Sequence, residues 1–243
     1  MTNRKEEENT LVNIFVNVLL PIVALSQLSK SGEKIWHIGP ELGMAVAVAF
    51  PLIYGIWFFI KTKKFNFYSV LGIISVLLTG FITIHVWNED GSVKDNAALL
   101  FAIKEAATPL ILGVVMLYSH RTKKPLIEVF LLNPDIFDIP KIESAAKEKG
   151  TLKEYASFRL KLTLMFAGSF LLSSVLNFFL AMFLLDGAKD KESYNLAVGK
   201  VMGYGYLVIG IPLMAIMIGC FIYLMKRISS LTGLTKEEYM VPR

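Results

Sequence analysis

Six stretches of this chain, at about 11–28, 38–60, 67–87, 97–118, 162–185 and 201–225, are almost wholly apolar and 18 to 25 residues long. A helix needs ~20 apolar residues at ~1.5 Å rise to cross ~30 Å of hydrocarbon. None of the six alternates apolar and polar residues, as a barrel strand must. Hydrophobic residues make up 54% of the 243 and charged residues only 19%, with a mean hydropathy of +0.55. A water-soluble domain of this size needs more charge to cover its surface. The expected fold is therefore all-α, an integral membrane bundle of six helices. It forms a single transmembrane domain over 1–243, with a cytoplasmic or interfacial loop at 120–158.

The charges fix an expected orientation. The net charge is +5 and the isoelectric point about 9.1, a balance that elsewhere suggests nucleic acid. Here the cations cluster at the ends of the apolar stretches, which is where membrane topology puts them, so no nucleic-acid partner is expected. With the N-terminus inside, 17 of the 23 Lys and Arg outside the spans face the cytoplasm. Both termini are thus expected in the cytoplasm. The opening Met-Thr-Asn-Arg-Lys-Glu-Glu-Glu is too acidic for a cleaved leader, so the first stretch is expected to stay as a helix. Cys220 is the sole cysteine, which rules out an intramolecular disulfide and a thiolate metal site.

Charge inside a span is the next constraint. Phe101-Ala-Ile-Lys-Glu-Ala-Ala-Thr-Pro-Leu opens the fourth stretch and places Lys104 beside Glu105 within it. A charge at membrane depth costs ~2.5 kcal/mol or more unless it is paired, hydrated or snorkelling. Pro109 follows four residues later and removes a backbone donor, so a kink is expected there, as at Pro21, Pro51 and Pro212.

The even-numbered stretches share a pattern. The second has Phe50-Pro-Leu-Ile-Tyr-Gly and ends at Lys61-Thr-Lys-Lys; the fourth has Thr108-Pro-Leu-Ile-Leu-Gly and ends at Arg121-Thr-Lys-Lys. The sixth has Ile211-Pro-Leu-Met and ends at Lys226-Arg. This spacing fits a two-helix hairpin repeated three times in parallel. The odd-numbered stretches carry Asn13 and Asn17, or Ser169, Ser173, Ser174 and Asn177, side chains suited to close helix contact. In the 120–158 loop, 123–132 reads as a short interfacial helix, and 142–149 as a polar helix stopped by Gly150. Thr151-Leu-Lys-Glu fits a capping box that starts a helix running through Arg159 and Lys161 into the fifth span.

The motif at 101–110, the Lys123-Lys-Pro-Leu-Ile that follows it and the Phe50-Pro-Leu-Ile-Tyr-Gly before it resemble the bacterial intracellular septation protein A family. They are closer still to an uncharacterised sister group of transporter-like membrane proteins. The resemblance covers the second to fourth stretches and the start of the loop, and the last helical pair departs from it. It implies a bacterial inner-membrane protein and assigns no chemistry.

No protease, hydrolase or phosphate-loop signature is present, and His37, His85 and His120 lie far apart in sequence. No enzyme activity, cofactor or metal is expected. With the N-terminus inside, Glu41 lies about one turn below the outer face, and Lys104 and Glu105 about two. His85, Asn177 and Tyr204 come near the same depth. These six are the candidate binding residues of an outward-facing polar pocket. The first functional expectation is a non-enzymatic envelope protein that binds lipid or a membrane partner. The alternative is a small secondary transporter or lipid flippase that uses the Lys104 pocket.

Overall fold

A computed structural model describes residues 10–62, 67–122 and 125–241. The cations Arg4, Lys5, Lys63, Lys64, Lys123, Lys124 and Arg243, and the acidic opening of the chain, lie outside the described residues. Among the described residues the regular structure is helical, with isolated bridges but no strand. The helices are α1 (Val12–Leu28), α2 (Gly39–Thr62), α3 (Phe67–Val86), α4 (Ala97–Ser119) and α5 (Leu126–Phe130). After them come α6 (Ile139–Glu148), α7 (Leu152–Leu185), α8 (Lys191–Thr232) and α9 (Lys236–Tyr239). Four of them, α2, α4, α7 and α8, are long and apolar enough to cross a membrane. Val12–Leu28 and Ile74–Val86 are shorter apolar helices.

The ends of the last two long helices differ from the sequence reading. Helix α7 is continuous for 34 residues through Arg159 and Lys161, as the sequence suggests. Its start is held differently, because the Thr151 hydroxyl donates to the carbonyls of Ala146 (3.2 Å) and Leu231 (2.6 Å) and closes no capping box with Glu154. Helix α8 begins ten residues before 201. Asp190 caps it, accepting from the Ser193 amide at 2.9 Å, while the Ser193 hydroxyl lies 3.2 Å from the Asp190 amide. The cap adds a polar first turn that apolar periodicity alone does not reveal.

That cap yields a pH prediction. Hydrogen bonds from Ser193, the backbone one foremost, hold the Asp190 carboxyl below its ordinary value of 3.8. A depressed pKa stabilises the fold above the unfolded value and loses that contribution as pH falls through the folded one. Asp190→Ala is expected to cost ~1 kcal/mol at neutral pH. Thermal unfolding should show the deficit shrinking once the pH drops below about 4. A deficit that does not change with pH assigns the loss to something other than the ionised cap.

The chain forms two compact units. The first comprises Met1–Thr108 and Leu176–Ile209, the second Pro109–Val175 and Gly210–Arg243. The chain passes between them within α4, α7 and α8.

The first unit is built on close helix approach. Its core holds Leu25, Met44, Ala47, Val86, Phe101, Ala102, Leu185, Tyr194 and Val198. Phe101 meets Tyr194 edge-on, with ring centroids 6.3 Å apart. A β-carbon on Gly199 would lie 3.3 Å from that of Leu25, so the small residue lets α8 settle against α1. A polar clasp joins the start of α8 to the α1–α2 connection and the first turn of α2. Lys191 pairs with Glu41 at 2.7 Å, and Glu192 accepts from the Ser31 amide at 2.9 Å. Asn195 donates to the Ser29 hydroxyl (3.2 Å) and the Pro40 carbonyl (2.7 Å).

The second unit is the fold of the long loop around the other ends of α4, α7 and α8. Ile127, Leu131, Leu132, Phe137, Ile142, Tyr155, Phe158, Leu224 and Tyr239 are all buried in its core. Of the 123–132 segment, the described residues 125–132 pack against this core. Its helical part is five residues long, and Ile127, Leu131 and Leu132 turn into protein, leaving Val129 exposed. Arg159 ties the loop to α7, pairing with Glu128 and, at 3.2 Å, with Glu143. Helix α6 is capped by Asp138, and Gly150 after it takes the left-handed φ of +77°.

Candidate functional site

The site grows from Lys104. Seven residues into α4, it lies about 10 Å along the helix from Ala97. Its side chain is only 7% exposed and its ammonium reaches Glu105 Oε1 at 2.6 Å. Neighbouring residues on a helix point about 100° apart, so the contact needs the long Lys side chain to bend round to the shorter Glu. The ammonium also sits 5.2 Å from the centroid of the Phe101 ring, whose electron-rich face attracts cations. Paired in this way, the two charges form a net-neutral unit that an apolar surrounding can hold.

The pair borders a cavity of about 190 Å³ inside the first unit. Five helices line it: α1 through Asn17, Pro21 and Leu25; α2 through Met44, Ala47, Val48 and Pro51; α3 through Ser75, Val76 and Thr79; α4 through Phe101, Lys104 and Glu105; and α8 through Val198 and Met202. The lining is mainly apolar, with polar groups contributed by the ion pair, Asn17, Ser75 and Thr79. Thr79 gives its proton to the Ser75 carbonyl at 3.0 Å and so offers the cavity an acceptor.

Local backbone explains why a cavity opens here. Helix α1 widens into a π turn at Phe15–Leu19, where the Leu20 amide bonds the Phe15 carbonyl, five residues back. Pro21 follows at once. Its ring crowds the carbonyl four residues earlier and it has no N–H to give, so a wider turn just before it relieves both problems. The same order recurs in α8, where the π turn Tyr206–Gly210 precedes Pro212. Pro51 lies inside α2 and Pro109 inside α4. Of these prolines Pro21 and Pro51 line the cavity, and a proline ring in a helix wall leaves a backbone carbonyl without its usual amide partner.

The structure separates the six candidate residues into one pair and four outliers. Lys104 and Glu105 meet in the cavity. Glu41 does not join them: it is 68% exposed at the start of α2 and pairs with Lys191, whose ammonium also lies 5.4 Å from the Trp87 ring. His85 is exposed near the end of α3, stacked on Phe81 at 6.3 Å. Tyr204 is 49% exposed on α8 and Asn177 is half-buried on α7; neither lines the cavity. The sequence reading set these four by depth alone, and depth says nothing of which way a helix face turns.

Sequence reasoning passed over Ser75 and Thr79. Their spacing of four puts both on one face of α3, the available signal. Asn17 was assigned to helix contact; it lines the cavity, and its amide also donates to Asn13 at 3.2 Å. His37 lies edge-on to Trp36, and His120 Nδ1 is 3.2 Å from the Thr163 hydroxyl. Among the described residues no cluster of three His, Cys, Asp or Glu side chains is placed to hold a metal. No protein-family model, curated protein or solved structure matches this chain.

Proposed function

We propose that this chain is a six-span protein of a bacterial inner membrane, with both termini in the cytoplasm, that carries a small solute through the cavity of its first unit by secondary transport. The observation behind this reading is the buried Lys104–Glu105 pair on a cavity walled by helices that π turns and prolines interrupt. Discontinuous helices around an ionised residue are a recurrent way to build a substrate site at membrane depth. The six-span count rests on length: α1 spans ~26 Å and the 20-residue α3 ~30 Å, enough to cross with slight thinning or snorkelling. A second reading, a septation-protein-like envelope role that binds lipid or a membrane partner, draws on the motif at 101–110.

Thiol labelling separates the two. In a Cys220→Ala background, Asn96→Cys should react with an impermeant reagent in intact cells and Ser144→Cys should not; both positions are exposed. The reverse pattern would invert the topology. Ser75→Cys, a near-isosteric change in the cavity wall, should react with a small water-soluble reagent from either face, in right-side-out and in inverted vesicles. Labelling from one face only, or from neither, overturns transport and leaves the envelope role.

A further inference from the structure

We infer that the Lys104–Glu105 cavity takes a zwitterion that sets an anionic oxygen group, a carboxylate or a phosphodiester, on Lys104 and a primary ammonium on Glu105, with an apolar body beside them. This deepens the transport reading and rests on it. The first argument is unused bonding capacity. An ammonium has three N–H donors, and Lys104 gives one to Glu105 Oε1 and turns one side to the Phe101 face. A carboxylate has two acceptor oxygens, and among the described residues Glu105 engages only Oε1. A spare donor and a spare acceptor therefore sit side by side on one cavity wall. A ligand with one group of each sign can use both without separating the pair.

Charge is the second argument. The pair is neutral overall, so a zwitterion leaves the site neutral. A monoanion would leave one net negative charge in a mainly apolar surrounding and a monocation one positive, and an uncompensated charge is expensive there. Size is the third. At about 190 Å³ the space is a little larger than the ~150 Å³ apolar cavity known to hold benzene, so a ligand of about eight heavy atoms suits it. Met44, Val48, Val76, Val198 and Met202 supply the apolar contact. Aliphatic α-amino acids meet all three conditions. A lipid headgroup with a primary ammonium presents the same chemistry, so the test must tell the two sources apart.

The test uses the full chain in nanodiscs of phosphatidylcholine and phosphatidylglycerol, titrated calorimetrically. The probes are L-valine, isovalerate (valine without its ammonium) and isobutylamine (valine without its carboxylate). Valine should bind about ten-fold or more tighter than either, since each lacks one charge-assisted hydrogen bond. Glu105→Gln and Val48→Phe should each weaken valine about ten-fold or more; Val48→Phe fills the cavity and leaves both charges in place. If valine does not bind but phosphatidylethanolamine raises the melting temperature of the wild type and not of Val48→Phe, the zwitterion is a headgroup. Isovalerate binding as tightly as valine makes this an anion site and overturns the inference. So does the absence of both valine binding and the phosphatidylethanolamine effect. If that happens while Ser75→Cys is still labelled from both faces, transport stands and only the substrate class falls.

Discussion

Lys104→Met should lower the stability of the purified protein by about 3 kcal/mol, because it leaves the Glu105 carboxylate without its partner. Glu105 is 23% exposed in the folded chain, so part of its hydration survives, which argues for the lower end of the buried-pair range. The lost contact with the Phe101 face adds a smaller amount. Lys34→Met is the control. Lys34 is exposed, its ammonium 5.4 Å from the Trp36 ring, and its loss should cost ~1 kcal/mol or less. The double variant Lys104→Met with Glu105→Gln should recover part of the deficit, since it removes both charges together. Adding Glu41→Gln to Lys104→Met should recover nothing, because Glu41 is engaged by Lys191. Thermal unfolding in detergent ranks the set. Rescue by Glu41→Gln, or a Lys104→Met protein as stable as the wild type, would show that Lys104 is not held by Glu105.

The second large effect needs no charge. A β-carbon on Gly43 would overlap the Ser29 hydroxyl oxygen and fall 2.6 Å from the Ser29 α-carbon. Rotating the hydroxyl away clears the first clash and leaves the second, because the α-carbon belongs to the backbone. That backbone is fixed from two sides: the Ser29 amide closes a second π turn of α1, Ala24–Leu28, on the Ala24 carbonyl at 3.0 Å, and Asn195 holds the Ser29 hydroxyl. Gly43→Ala is therefore expected to cost about 3 kcal/mol, the upper end for overpacking, even though alanine is the better helix former. Gly168→Ala sets the contrast. Nothing lies within 4 Å of a β-carbon there, so the same substitution should be neutral or stabilise by up to ~1 kcal/mol. Equal effects at the two glycines would mean that α2 does not pack against Ser29.

The sequence by itself determined that the chain is helical and built for a membrane, because these are local properties. Length and apolarity set α2, α4 and α7, and the Lys104–Glu105 pair was legible since its members are adjacent. The start of α8 was less so, since its cap depends on Asp190 and Ser193, ordinary polar residues ahead of the apolar run. Tertiary structure alone decided what depends on which face a helix turns and what it meets. Depth arithmetic set Glu41 beside Lys104, yet its partner is Lys191, 150 positions away along the chain. Ile127 and Leu132 read as residues for a membrane surface and became core, because burial against protein serves an apolar side chain as well as lipid does. The cavity was hidden for the same reason. It exists where five helices, two of them presenting a proline to the space, fail to fill it, and no single stretch of sequence records that shortfall.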